Sequence, residues 1–157
     1  MQIDTDMIQK KVDECINSRK AVYPLPITQI AAEYGFAVKY FTPNNDPDLI
    51  KISGAIKYDD KVIWVNSDEI PERQKFTIAH ELGHALLHPG DNIIDYRMNN
   101  NHSQKEAEAN EFAARILMPE NEINKIRKQI TSVAELAKYF GVSMQAMLLR
   151  LKKLQKG

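Results

Sequence analysis

Apolar positions along this chain recur at helical spacing in some stretches and at strand spacing in others. Met7, Ile8, Val12, Cys15 and Ile16 form one stripe over 4–19, which predicts an amphipathic helix. Pro24 and Pro26 break the pattern, and 27–34 follows as a short helix ended by Gly35. Residues 36–41 read as a strand and 42–48, rich in Pro, Asn and Asp, as a loop. Residues 52–58 and 61–66 form an expected hairpin across Asp59-Asp60, a turn-prone pair without the usual Gly, and Trp64 is expected in the core. After Pro71 one long helix runs over 72–88, with Ser67 or Asp68 near its cap and Phe76, Ala79, Leu82 and Leu86 on its core face.

Pro89-Gly90 ends that helix, and 89–105 reads as a polar loop, a length that is uncommon without a function. Helical spacing resumes over 106–118 and over 120–129. Residues 132–140, then Gly141-Val142-Ser143, then 144–155 have helix-turn-helix form. The last helix is expected to bury Met144, Met147, Leu148, Leu151 and Leu154.

Composition narrows the picture. A chain of 157 residues suits one domain with a real core. Its 21 Lys and Arg balance 21 Asp and Glu, so no global field points to nucleic acid or to a membrane. Residues 119–157 carry 8 basic against 3 acidic side chains, read as ordinary helix surface, with a basic patch for an acidic partner as the sharper alternative. Cys15 is the single cysteine, so no internal disulfide forms. The absence of a leader-like segment and of an apolar run of about 18 residues predicts a soluble, cytoplasmic protein with no membrane partner.

The chemistry concentrates in His80-Glu81-Leu82-Gly83-His84. Residues four apart on a helix share a face about 6 Å apart along the axis, so both imidazoles can close on one metal ion. Glu81 lies about 100° round the helix, where it can reach a water on that metal. H-E-x-x-H on a helix is the zinc-peptidase arrangement, with the Glu as general base. The plain alternative is an amphipathic helix with two satisfied histidines. Gly83 makes sense if another backbone packs closely there, since mid-helix Gly costs about 1 kcal/mol against Ala.

A catalytic zinc site keeps three protein ligands and one open position. His88 lies about 12 Å along the axis from His80 and cannot share the ion. A second helix is needed for the third ligand, and the run over 106–118 is the best candidate. Glu106 is the expected ligand, and Asn110, four residues on, is placed to accept a hydrogen bond from a ligand imidazole. Glu108 is the competing ligand. Ser103-x-x-Glu106 also has the form of a capping box, the structural alternative for Glu106.

These segments resemble the ImmA/IrrE family of zinc metallopeptidases, small gluzincin-like proteins. The resemblance rests on 76–84 with Leu86-Leu87-His88, on Ser53-Gly54-Ala55 and Trp64-Val65-Asn66, and on the run from Glu106 to Pro119. It covers most of 25–150. The family pattern E-x-x-A-N-x-F-A puts its Glu ligand on Glu106 and its orienting polar residue on Asn110. The resemblance implies that the substrate is a specific regulatory protein, often a helix-turn-helix repressor.

The expected fold is α+β. A zincin-like core carries a small, mainly antiparallel three-stranded sheet on the zinc helix, followed by a helical, helix-turn-helix-like region. All of 1–157 forms one metallopeptidase domain, with the catalytic core in 1–118 and the helical subregion in 119–157. The expected reaction is peptide hydrolysis with His80, His84 and Glu106 on Zn²⁺ and Glu81 taking the proton of a water. Tyr96 and His102, in the 89–105 loop, could donate to a tetrahedral oxyanion, although surface residues are the plainer reading. The strand holding Ser53-Gly54-Ala55 is the expected edge for a substrate backbone. Two other functions stay open. One is a zinc-containing regulatory module without efficient peptidase activity. The other is a DNA-binding regulator using the C-terminal helices through Arg150, Lys152 and Lys153, although few polar residues near the last helix's start could read bases.

Overall fold

The structure is a computed structural model. It describes residues 2–90, 92–96 and 103–156, with the side chains of Ile93, Asp95 and Tyr96 outside the description. The described elements run α1 (Thr5–Ile16), α2 (Ile27–Glu33), β1 (Ala37–Phe41), α3 (Pro47–Ile50), β2 (Ile52–Lys57), β3 (Val62–Asn66) and α4 (Pro71–Leu87). Then come β4 (Ile93–Tyr96), α5 (Gln104–Leu117), α6 (Glu120–Ile126), α7 (Val133–Phe140) and α8 (Met144–Lys156).

The chain is mixed α and β, with the three expected strands present and a fourth added. The sheet order is β1-β3-β2-β4. β1 runs parallel to β3, while β2 is antiparallel to both β3 and β4. β4 falls in the stretch expected to be loop. Ile93, Ile94 and Tyr96 are strand-favouring types, but four residues inside a polar stretch are too short a run to mark a strand by themselves; pairing with β2 completes it. This corrects one expectation about β2. It is an interior strand, and among the described residues the free edges belong to β1 and β4. A short helix, α3, also forms inside the Pro/Asn/Asp-rich region, capped by Asp46, which accepts from the Asp48 N–H at 2.9 Å.

α4 lies across β2 and β3, and its closest helical neighbour is α5. It is buried without interruption from Thr77 to Ala85. Ile78, Ala79 and Leu82 join Ile56, Ile63 and Val65 of the sheet and Phe112 and Ile116 of α5 in one core. Fully burying a side chain such as Phe112 contributes about 1.5–3 kcal/mol. Phe76 and Leu86, expected on the core face, are half-buried at its margin. The cap differs from expectation: Ile70 occupies it with no side-chain hydrogen bond, and Pro71 at the first turn needs none. Asp68 instead donates its N–H to Asn66 Oδ1 at 2.8 Å. Trp64 is half-buried rather than core, with Lys39 Nζ 6.0 Å from its ring centroid.

The C-terminal helices fold back onto the body. α7 ends at Gly141, whose φ of +70° is the left-handed conformation Gly adopts without penalty. α8 departs from its expected face. Met147 is buried, but Met144 and Leu148 are exposed, and Leu151 and Leu154 are half-buried. Arg150 takes a core position instead, 5% exposed, donating from Nε to Met118 O at 2.9 Å. A guanidinium committed there is not presented to a nucleic-acid backbone. Lys153 reaches Glu111 of α5 at 3.1 Å, and the same carboxylate takes Arg115 Nε at 2.7 Å. No described helix is long and apolar enough to cross a membrane.

Candidate metal centre

Two helices supply the site. The His80–His84 spacing puts both rings on one face of α4, with centroids 4.7 Å apart. α5 begins at Ser103, whose Oγ accepts the backbone N–H of Glu106 at 3.1 Å. That is the backbone half of a capping box. The Glu106 carboxylate does not fold back to complete it but crosses to α4. Its Oε2 lies 3.1 Å from His80 Nε2 and its Oε1 2.8 Å from His84 Nε2. The donor atoms of His80, His84 and Glu106 all lie within 4.8 Å of one another, a set that could hold a metal ion.

Asn110, one turn after Glu106, faces the other side of the same ring. Its Oδ1 lies 2.6 Å from His80 Nδ1. The amide oxygen can only accept, so the ring's proton belongs on Nδ1 and a neutral His80 turns the Nε2 lone pair toward Glu106. Two lone pairs at that distance call for a cation between them, either a second ring proton or a metal. Two imidazole nitrogens and one carboxylate oxygen are ligands that suit zinc in sites with three protein donors. The donor set therefore fits a metal ion.

Glu108 does not join this cluster. Its Oε1 lies 2.9 Å from His88 Nε2. Burial pushes its carboxyl up, but hydrogen bonds from His88 and Gln104 outweigh burial and hold it below the usual range. His88 closes α4 with φ −130°, and its Nδ1 lies 3.0 Å from His84 Nδ1. The hydroxyl of Tyr58, just after β2, meets the carbonyls of His84 at 3.0 Å and His88 at 3.2 Å. Sequence reasoning assigned no role to Tyr58 or His88. The i+4 step from His84 to His88 was the available signal.

Glu81 is fully buried, between α4 and β2. Gly54 makes room for it: a Cβ on Gly54 would sit 2.5 Å from Thr77 Cγ2, 2.8 Å from Trp64 O and 3.4 Å from Glu81 Oε2. The space beside Gly83 is filled by a side chain, not by the expected backbone. A Cβ there would meet Phe112 Cδ1 at 2.9 Å. The oxyanion candidates, the Tyr96 side chain and His102, lie outside the described residues.

Comparison with known proteins places the chain among relatives. A radiation response metalloprotease, IrrE, from Deinococcus radiodurans is 37% identical over 107 residues, covering 62% of this chain and 33% of its own. Its namesake from Deinococcus deserti is 35% identical over 107 residues, covering 62% and 38%. An uncharacterized immunity region protein 2 from Bacillus phage phi105 is 34% identical over 108 residues, covering 66% and 67%. The match thus spans only 33% to 38% of the two Deinococcus relatives. A Mycobacterium tuberculosis transcriptional regulator of solved structure superposes with a TM-score of 0.65 at 21% identity, covering 95% of this chain and 47% of that one. At that identity the likeness concerns the fold alone. The sequence profile of the IrrE N-terminal-like domain, a peptidase family, matches residues 41–152, and the chain belongs to that ImmA/IrrE family.

Proposed function

We propose that the chain is a zinc-dependent endopeptidase with a zincin-like core in 1–118, the helical subregion 119–157 belonging to the same domain. His80, His84 and Glu106 would hold Zn²⁺, and Asn110 orients the first of these rings. A zinc ion held there supplies Lewis acidity toward water and toward a peptide carbonyl. The protein's own part is to position and to move a proton. Glu81 serves as general base, taking a proton from water and returning it to the leaving amine. Gly54 of β2 leaves space for that carboxylate. β4 is the outer strand beside β2 among the described residues, and its edge, in place of β2, is where an extended substrate would add as a strand.

The observation that carries this reading is the convergence of three donor atoms from two helices within 4.8 Å. The substrate we assign is a regulatory protein, a helix-turn-helix repressor or antitoxin-like partner, met in the cytoplasm. A relative described as an immunity region protein of a phage supports a regulatory setting for the substrate. Glu81→Gln tests the mechanism. Zinc-loaded protein is incubated with repressors encoded beside its gene, and the products are weighed by mass spectrometry. Wild type should produce a discrete cut, while the variant keeps its zinc and fold and cuts nothing. Normal cleavage by the variant removes Glu81 from the mechanism. A biological effect that survives in the variant would favour the non-catalytic regulatory module.

A further inference from the structure

We propose that Glu108 and His88 form a relay that sets the tautomer of His84 and so aims its Nε2 lone pair at the metal. The proposal rests on reading His80, His84 and Glu106 as zinc ligands. The contacts are continuous: Glu108 Oε1 to His88 Nε2 at 2.9 Å, His88 Nδ1 to His84 Nδ1 at 3.0 Å, and His84 Nε2 to Glu106 Oε1 at 2.8 Å.

The direction of the chain follows from what each group can do. An ionised carboxylate only accepts, and a neutral imidazole carries one proton on one nitrogen. Glu108 therefore draws the His88 proton to Nε2. That leaves His88 Nδ1 as an acceptor. His84 must then donate through its own Nδ1, and its lone pair is left on Nε2, the atom that faces Glu106. The opposite arrangement would press the His88 Nε2 lone pair against a carboxylate at 2.9 Å.

Two further features keep the relay in register. The side chains of His88 and Glu108 are 8% and 14% exposed, so bulk water does not readily replace either partner. Tyr58 pins the carbonyls of His84 and His88 from outside the relay. The end of α4 is thus held by a hydroxyl, and the ring of His88 has orientation as its separate task. α5 then serves both rings: Asn110 orients His80 directly, and Glu108 orients His84 through an intermediate imidazole.

The test measures zinc affinity of the full chain by competition with a chromophoric chelator, together with long-range proton–nitrogen spectra of the histidines in the zinc-loaded protein. His88→Ala and Glu108→Ala should each weaken zinc binding about 10–100-fold, the usual effect of losing a group that orients a ligand. Glu108→Gln, whose amide oxygen still accepts, should recover most of that loss. The wild-type spectrum should show His88 protonated on Nε2 and His84 on Nδ1. Unchanged affinity in both alanine variants, or His88 protonated on Nδ1, overturns the relay. Should Glu108→Ala fail to fold, His88→Ala and the wild-type spectrum decide. A wild-type protein that takes up no zinc sinks the metal centre and the relay together. Tight wild-type binding with indifferent variants sinks the relay alone.

Discussion

Replacing Gly83 with Ala sets two effects against each other at the contact that brings α4 and α5 together. An isolated helix would gain about 1 kcal/mol from the substitution. Here the new methyl would sit 2.9 Å from Phe112 Cδ1 and 3.2 Å from both Phe112 Cβ and Cγ. Phe112 is fully buried, so its ring has no open space to enter. Overpacking of this kind costs about 1–3 kcal/mol. The net expectation is a loss of about 1 kcal/mol, or a fall in melting temperature of about 2–4 °C for a chain of this size. Relief of the clash would move α5 away from α4, and with it Glu106 from the two imidazoles, so zinc affinity should fall as well. Thermal melts with and without zinc measure both effects. Phe112→Leu, which opens room at the ring, should cost less in the Gly83→Ala background than alone, a coupling readable from a double-mutant cycle. A melting temperature that rises by a similar amount would mean that helix propensity governs and that the contact is soft, which refutes the packing argument.

Glu106→Ala should abolish zinc-dependent stabilisation. Wild type at zinc one hundred times its dissociation constant gains about 2.7 kcal/mol, and a chelator should remove that gain, whereas the variant should melt identically with and without chelator. A preserved chelator shift would place the metal elsewhere. Glu111 makes a pH prediction. Burial raises its carboxyl, but hydrogen bonds from Arg115 and Lys153 outweigh this and hold it below its ordinary value near 4.5. A depressed carboxyl stabilises the fold above the unfolded value and loses that contribution as pH falls through the folded one. Acid below about pH 4.5 should therefore loosen the α8–α5 attachment, and Glu111→Gln should flatten that part of the stability profile in urea melts. An unchanged acid limb in the variant would assign the loss to other groups.

Much of the fold is legible in the linear chain because periodicity is local. The stripe of Ile8, Val12 and Cys15 predicts a helix, and all three are buried in α1. The hairpin across Asp59-Asp60 forms without a glycine because Lys61 takes the left-handed conformation, φ +52°. The failures share a different cause. Met144 and Leu148 obey helical spacing yet lie exposed, while Arg150 is buried, because the facing surface offers a carbonyl, Met118 O, that a guanidinium can satisfy. Spacing reports which residues share a face; it does not report what that face meets.

The same division holds at the centre. Four-residue spacing by itself determined that His80 and His84 share a face, and that Glu106 and Asn110 share another, because helix geometry needs no partner to define it. Which carboxylate turns toward the imidazoles depends on the roll of α5 against α4, which is set by tertiary packing, the contact of Phe112 with Gly83 included. The role of Glu108 depends on the ring of His88 at the helix end, a long-range contact between residues 20 apart in sequence that no local pattern encodes.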